Sequence, residues 1–569
     1  MTYRAPIADL RFLLEHVVDF GKLRSTELFS DVGEEVTDAI LTEAGKLCEE
    51  VIAPVNRPGD KTPSTLENGR VRSAPGYAEA YRAIAEGGWV CVSAPADYGG
   101  MGLPVTLQTA INDMMSSACL SLQLNPLLTQ GQIEALAAHA SDEIKALYLP
   151  KLISGEWSGT MNLTEPVAGS DVGALTSKAE PNGDGTYAVT GQKIYITWGD
   201  ADFVDNVCHL VLARLPDGKP GTKGISLFMV PRNLPDADGA PGVANSLKVV
   251  SLEHKLGIHG SPTCVMEFDG ATGWLIGEEH GGMAAMFTMM NNARLGVGCQ
   301  GIGIAEAATQ KALAYALERK QGKVGGTGAI IEHADVRRMV TTMKAETFAV
   351  RAIALANAVA IDMGEATGEE DWKARAALLT PISKAHGTDI GHEMAQLGIQ
   401  VHGGMGFIEE TGAAQFARDV RVTQIYEGTN GIQAMDLVAR KMMDGGAAAY
   451  ALLDEVEAAA EAARETLPDL ARPIFNAAEN FREATEWLVE QEMEDRFAGC
   501  VAYLRAFARV LGAHYHLLAA MAEGGSGPRT GLARFFIKRI LPEHEALIAQ
   551  VREGAVGLYD LSVEDLQAV

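Results

Sequence analysis

Gln424-Ile425-Tyr426-Glu427-Gly428-Thr429-Asn430-Gly431-Ile432-Gln433 is the stretch on which the reading of this chain turns. It sets one carboxylate, Glu427, beside the small, flexible turn at Gly428, where backbone can come close to a flat ligand. A glutamate so placed and shielded from water can take a proton from carbon. The same ten residues also suit a plain surface loop between helices, and alone they leave both readings open. Far upstream, Leu163-Thr164-Glu165-Pro166-Val167-Ala168-Gly169-Ser170-Asp171 reads as a strand-to-loop passage whose hydroxyls and backbone N–H groups can reach a ligand. It too has an ordinary reading, a turn begun at Thr164-Glu165-Pro166 and closed by an Asx-type loop.

Outward from these two stretches the pattern changes character three times. Over 36–152 apolar residues recur at helical spacing, as in Ile133-Glu134-Ala135-Leu136-Ala137-Ala138, which predicts a helical bundle. Short runs rich in Val and Ile at 187–197, 207–214, 224–230, 247–252 and 263–268, separated by Gly, Pro and Asp, predict a small β domain. Long helical segments return at 283–318, 333–363 and 372–397, enough for a second bundle. Past Met442 helix continues at 450–466, 477–522 and 528–553, broken at Gly524-Gly525-Ser526-Gly527-Pro528. The division expected is 1–36 as an extension, 37–160 helical, 161–282 β, 283–442 helical and carrying Glu427, and 443–569 as an additional helical domain.

Composition narrows the class. At 569 residues the chain exceeds what one core organises, so two to four domains are expected. A net charge of −27 with no separate basic patch argues against a nucleic-acid partner. Seven scattered cysteines without a C-x-x-C pair suit reduced core thiols rather than a disulfide framework or a zinc site. With no secretory signal pattern and no uninterrupted apolar run of spanning length, a cytoplasmic protein without a membrane span is expected.

Taken together, the two opening stretches resemble the signature segments of the flavin-dependent acyl-CoA dehydrogenases, in the family's order and spacing. Ala94-Pro95-Ala96-Asp97-Tyr98-Gly99-Gly100-Met101-Gly102-Leu103, Gly191-Gln192-Lys193-Ile194-Tyr195-Ile196-Thr197, Lys255-Leu256-Gly257-Ile258-His259-Gly260-Ser261-Pro262-Thr263 and Gln400-Val401-His402-Gly403-Gly404-Met405-Gly406-Phe407 strengthen the match. The family core runs from about 37 to 442. Met1-Thr2-Tyr3-Arg4-Ala5-Pro6 and Met286-Phe287-Thr288-Met289-Met290-Asn291-Asn292-Ala293-Arg294-Leu295 resemble a long bacterial subgroup whose substrates include 3-methylmercaptopropionyl-CoA.

The resemblance implies a mainly α fold with a central β domain: an N-terminal helical bundle, a β-barrel-like middle domain and a C-terminal four-helix bundle, here with an extra C-terminal helical domain. It implies FAD as cofactor, an acyl-CoA substrate of short or medium chain, an electron-transfer flavoprotein as acceptor, and a homodimer. Glu427 maps onto the catalytic base, with its main-chain N–H on the thioester carbonyl and Gly428 beside the substrate. Ala293 stands where some members carry the base instead, and it cannot abstract a proton. Leu163, Thr164, Ser170, Tyr195, Thr197 and Thr429 map onto flavin contacts, Tyr195 where an aromatic residue packs on the ring. Arg319, Gln400, Gly403 and Gly404 map onto the flavin's pyrophosphate and adenosine half, contributed by a neighbouring subunit. Ser170, Asn291 and Arg294 map onto the CoA side, although Arg294 reads equally as a surface salt-bridge residue. Two departures fall on the adenosine side: Arg319-Lys320-Gln321 runs straight into Gly322-Lys323 without an inserted aromatic residue, and Gly431 replaces a glutamine.

Some signals are set aside. Gly296-Val297-Gly298-Cys299-Gln300-Gly301 matches G-x-G-x-x-G, but no strand precedes it, so its glycines are expected to serve helix packing. His514 and His516, two apart on a helix, cannot share a face as metal ligands, and no metal is expected. The alternatives carried forward are an acyl-CoA oxidase that returns electrons to oxygen, and a flavin-containing DNA-associated protein built on the same fold.

Overall fold

A computed structural model describes residues 3–322 and 325–568; Met1, Thr2 and Lys323, quoted above, lie outside them. The chain divides into two compact units. One comprises Ala39–Gly296 with the residues just ahead of Pro6; the other comprises Pro6–Asp38 and Val297–Val569.

In the first unit helices come before the sheet. Helix Asp142–Ile153 starts where Ser141 accepts a hydrogen bond from the Ile144 N–H, with Asp142 and Glu143 in its first turn. The helical stretch Val105–His139, broken by a kink at Cys119, has no polar stripe because nearly every side chain on it is buried. Two of its amides are used internally: Gln130 Nε2 donates to the Val90 carbonyl at 2.7 Å, and Asn112 Nδ2 to Gln130 Oε1 at 3.0 Å.

The sheet behind them closes on itself. Strands Thr263–Ile276, Tyr187–Thr197, Lys178–Pro181, Asn206–Arg214 and Ile225–Pro231 pair in a ring, the last of them joining both Asn206–Arg214 and Thr263–Ile276. Leu247–Leu252 and Trp157–Asn162 extend it. Alternation along Asn206–Arg214 sends Leu210 and Leu212 into a core shared with Leu149 and Trp157, and Val211 and Ala213 into one with Phe228 and Phe268. The barrel-like β domain read from the sequence is present. Strand Trp157–Asn162, however, straddles the expected 160/161 boundary; buried on both faces, it lacks the polar alternation that marks a strand.

The second unit is helical. Gly282–Glu318 (from Val297), Ala334–Thr367 and Glu370–His402 are its long core helices. The expected helix over 477–522 is two, Pro468–Glu490 and Met493–Ala522, turned at Gln491 and Glu492, whose ψ angles are 156° and 158°. That over 528–553 is likewise two, Pro528–Arg539 and Glu543–Glu553. Apolar periodicity continues across the first break, which hides it from a pattern reading, whereas Pro542 marks the second. The G-x-G-x-x-G run is helical and close-packed: a Cβ on Gly301 would stand 2.2 Å from the Gly387 carbonyl oxygen. Helix Ala334–Thr367 is long and apolar enough to cross a membrane, unlike the sequence expectation, but 94% of its most apolar window is buried inside the protein. The N-terminal helices belong here. Arg529 stacks on Phe12 at 3.8 Å and bonds Asp9 at 2.8 Å, so the extension is tied to the region beyond residue 442.

Candidate active site

In the helical unit, Glu427 has φ +56° and Gly428 φ +85°. For a residue with a side chain the left-handed region costs about 1–2 kcal/mol, so something must hold Glu427 there. Buried Gln433 and Lys384 and half-buried Asp389 do. Gln433 Nε2 donates to the Glu427 carbonyl at 3.2 Å, and Lys384 Nζ to the Gly428 carbonyl at 2.8 Å and to Asn430 Oδ1 at 2.9 Å. Asp389 Oδ1 accepts from Asn430 Nδ2 at 2.7 Å and from Gln424 Nε2 at 2.6 Å. Thr429 caps helix Asn430–Val438, its hydroxyl accepting from the Ile432 N–H. Burial and the neighbouring Glu427 charge push the Tyr426 phenol well up, so it stays protonated and donates to Gln300 Oε1. The carboxylate therefore rides on a loop whose backbone is fixed from three sides.

Arg319, Gln400, Gly403 and Gly404 gather at one end of this unit. Tyr315, one turn before Arg319, stacks on His402 at 4.4 Å, and His402 leads directly into Gly403. All four residues are exposed. Gly403 has φ +58°, and a Cβ built on it or on Gly404 would meet nothing within 4 Å. This cluster is not beside Glu427: Gln400 lies sixteen residues beyond Lys384 on one helix, about 24 Å at roughly 1.5 Å per residue.

In the other unit, Leu163 and Thr164 are pinned through their carbonyls. Lys193 Nζ donates to the Leu163 oxygen at 3.1 Å, and the Ile194 N–H to that of Thr164 at 2.9 Å. Lys193 also pairs with Glu165 at 2.7 Å, both side chains buried, and Glu165 accepts from the Thr176 and Ser177 N–H groups. Beyond Lys193 the strand bulges. Ile196 faces Cys264 and Lys193 faces Met266, so Ile194 and Tyr195 share one partner position. Tyr195 takes φ +60° and is 61% exposed, an aromatic face turned outward from a strand, with Thr197 two residues on. Ser170 is exposed in the loop after the pinned segment. Arg294 is only 6% exposed, which removes its reading as a surface salt-bridge residue; its guanidinium reaches Asn291 Oδ1 at 3.4 Å. Ala293 is buried.

These residues fit FAD. An outward aromatic face beside two hydroxyls suits a flat ring, and exposed glycines beside an arginine suit a pyrophosphate. Lys384, Asp389, Gln433, Lys193 and Glu165 were not among the residues expected from sequence to act at the site. Gln433, Lys193 and Glu165 do stand within quoted segments, but their partners are set by tertiary contact.

A helical domain, a closed β barrel and a helical bundle bearing one strained glutamate match the architecture that the resemblance to the flavin-dependent acyl-CoA dehydrogenases implies. Family models agree along the chain: the acyl-CoA dehydrogenase N-terminal domain matches residues 34–156, the middle domain 160–271, the C-terminal domain 280–443, and the acetyl-CoA dehydrogenase C-terminal-like domain 452–562. The chain belongs to the acyl-CoA dehydrogenase family and is an oxidoreductase of that FAD-dependent class. It is 44% identical to 3-methylmercaptopropionyl-CoA dehydrogenase of Ruegeria pomeroyi over 95% of this chain and 94% of that one. It is 38% identical to a butyryl-CoA dehydrogenase of Syntrophomonas wolfei over 76% of this chain and 74% of that one. Among solved structures, Caenorhabditis elegans ACDH-11 in complex with C11-CoA shares the fold with a TM-score of 0.79 at 19% identity, covering 99% of this chain and 96% of that one.

Proposed function

We propose that Glu427 is the general base of this acyl-CoA dehydrogenase and that its substrate is a short or medium straight-chain acyl-CoA, with 3-methylmercaptopropionyl-CoA the first candidate. The observation that carries the base assignment is the strained backbone at Glu427, held by Gln433 and Lys384 through the carbonyls of Glu427 and Gly428. Strain kept by dedicated buried partners marks a position fixed for use. The substrate assignment is supported by the 44% identity to the Ruegeria enzyme along nearly the whole chain.

Oxidation of the thioester needs a base at Cα, and Glu427 takes that proton. Its N–H, by the family resemblance, donates to the thioester carbonyl as the enolate charge develops. Bound FAD supplies the acceptor for the hydride from Cβ. Leu163, Thr164, Ser170, Tyr195, Thr197 and Thr429 would hold the flavin, and Ser170, Asn291, Arg294 and Gly428 the CoA ester.

The separation of the Arg319–Gly404 cluster from Glu427 supports a homodimer in which that cluster serves the partner's flavin. We assign electron-transfer flavoprotein as electron acceptor and the cytoplasm as location, the latter supported by seven buried cysteine thiols. The test is an anaerobic titration of the yellow protein with butyryl-, octanoyl- and 3-methylmercaptopropionyl-CoA. Flavin bleaching in wild type, slowed by about 10²–10⁴ in Glu427→Gln, is expected; bleaching at an equal rate in the variant would refute the base assignment. A light-scattering mass of four chains would refute the dimer.

A further inference from the structure

A single oxygen closes the loop that carries Glu427. Asp389 Oδ1 accepts from Gln424 Nε2 at 2.6 Å and from Asn430 Nδ2 at 2.7 Å, and these residues stand three positions before and three after Glu427. One turn further along the same helix is Glu393. Arg505, from helix Met493–Ala522 in the region beyond residue 442, meets it with two nitrogens, Nη1 to Oε1 at 2.5 Å and Nη2 to Oε2 at 3.3 Å. Arg505 is itself fixed from behind: its Nε donates to Glu543 Oε1 at 3.0 Å, Glu543 Oε2 accepts from Arg509 Nε at 2.6 Å, and Arg509 Nη1 reaches both oxygens of the buried Glu346 at 2.7 Å.

We propose that Arg505 is a positioning residue for the catalytic loop, acting through Glu393 and Asp389. A carboxyl group grips two amide donors most firmly when it is charged. Burial works against that charge at Asp389, the Gln424 and Asn430 amides favour it, Glu393 opposes it, and Arg505 favours it. His392, on the turn between, also faces Asp389 and is kept neutral mainly by burial, with Arg421 adding to the effect. Without Arg505, only water screens the Glu393 charge one turn from the clasp, and the loop loosens at both ends. The added C-terminal region thereby gains a task in catalysis, as the source of the cation that steadies the clasp. The inference rests on Glu427 being the base.

The experiment compares holoenzyme variants Arg505→Gln, Arg505→Lys and Arg505→Gln/Glu393→Gln by anaerobic flavin bleaching with butyryl-CoA and by deuterium exchange of the 424–433 segment. Arg505→Gln should slow bleaching by about 10- to 100-fold, the scale of a slightly misplaced catalytic group, and speed exchange in that segment alone. Arg505→Lys should recover part of the rate. The double variant should recover most of it, since removing the Glu393 charge removes the need for Arg505, whereas a packing role would make the double variant worse. A double variant no faster than Arg505→Gln, or loop exchange unchanged in Arg505→Gln, overturns the proposal. If wild type itself fails to bleach, butyryl-CoA falls as a substrate, and the exchange comparison alone supports or overturns the clasp.

Discussion

Replacing Lys193 by methionine should destabilise the barrel unit by about 3 kcal/mol, at the lower edge of the range for a buried ion pair that loses one partner. The lower edge follows from the surroundings of Glu165. Its side chain is 2% exposed and that of Lys193 0%, so no water replaces the lost ammonium, yet the Thr176 N–H and hydroxyl and the Ser177 N–H still donate to the orphaned carboxylate. The protonation equilibrium gives the pH dependence. Burial alone would raise the Glu165 carboxyl, but the Lys193 charge and hydrogen bond, with those from Ser177 and Thr176, outweigh it and hold the group down to about 2. Burial pulls the Lys193 ammonium the other way, down to about 8, so the size of the effect rests on the loss of one buried partner and not on the Glu165 shift alone. The sign follows from a folded Glu165 value below the unfolded one: this stabilisation is complete above the ordinary value and disappears as pH falls from there towards 2. In Lys193→Met, burial acts unopposed by the ammonium and the carboxyl rises, so the variant's deficit should shrink as the medium is acidified. Native-state hydrogen exchange of strand Tyr187–Thr197 is the assay, because it reads the barrel without assuming that the whole chain unfolds in one step. A deficit under 1 kcal/mol at pH 7, or one that does not shrink with acid, would refute the reasoning.

Glu427→Gln should cost about 10²–10⁴ in the rate of flavin bleaching, while Glu427→Gly should abolish bleaching without lowering the unfolding midpoint, since glycine relieves the φ +56° strain; a lower midpoint for the glycine variant would count against strain at that position. Lys384→Met removes the donor to the Gly428 carbonyl and Asn430 and should slow bleaching at least about tenfold and destabilise the helical unit by ~1–3 kcal/mol; a normal rate measured in stopped flow would remove Lys384 from the loop's supports. Gly301→Ala should cost about 1–3 kcal/mol in denaturant unfolding, because its Cβ would sit 2.2 Å from the Gly387 carbonyl oxygen, whereas Gly531→Ala, with nothing within 4 Å, should be neutral or stabilising. Equal behaviour of the two glycine variants would contradict close packing as the reason for the G-x-G-x-x-G run.

What the sequence revealed, and what it hid, follows the range of the interactions. Helices 283–318, 333–363 and 372–397 were legible because apolar spacing is local, and they appear as Gly282–Glu318, Ala334–Thr367 and Glu370–His402. The break at Gln491 and Glu492 was not, because neither residue is a Gly or Pro and the apolar phase runs on across it. At the site, the segment holding Glu427 was legible as a motif. Its supports were not: Lys384 reaches Gly428 across 44 positions, and Arg505 reaches Glu393 across 112. A lysine in the middle of a long helix carries no local mark that its ammonium is buried against a loop carbonyl. Nor does Gly191-Gln192-Lys193-Ile194-Tyr195-Ile196-Thr197 announce a bulge, since its alternation is that of a regular strand until the register opposite Val265 slips.

Backbone strain ties motif to mechanism. Seven non-glycine residues among those described have positive φ, and Tyr195, Ile258 and Glu427 fall inside the motif segments while Trp198 adjoins one. Chance placement of strain would favour Asn, Asp and exposed turns, as at Asn68 and Asp19, because short polar side chains tolerate the left-handed region. Ile258 is β-branched and 4% exposed, and Trp198 is fully buried, the kind of residue for which that region is least favourable. Such conformations persist only where their surroundings over-determine them, and here they do: a bulge sets Tyr195, the Pro262 carbonyl accepts the Trp198 N–H at 2.8 Å, and buried Gln433 and Lys384 grip the Glu427 turn. The family's short segments therefore carry more than chemistry. They carry backbone turns that cost stability locally and need long-range partners to persist, so loosening Lys384 or Asp389 should cost activity before it costs the fold.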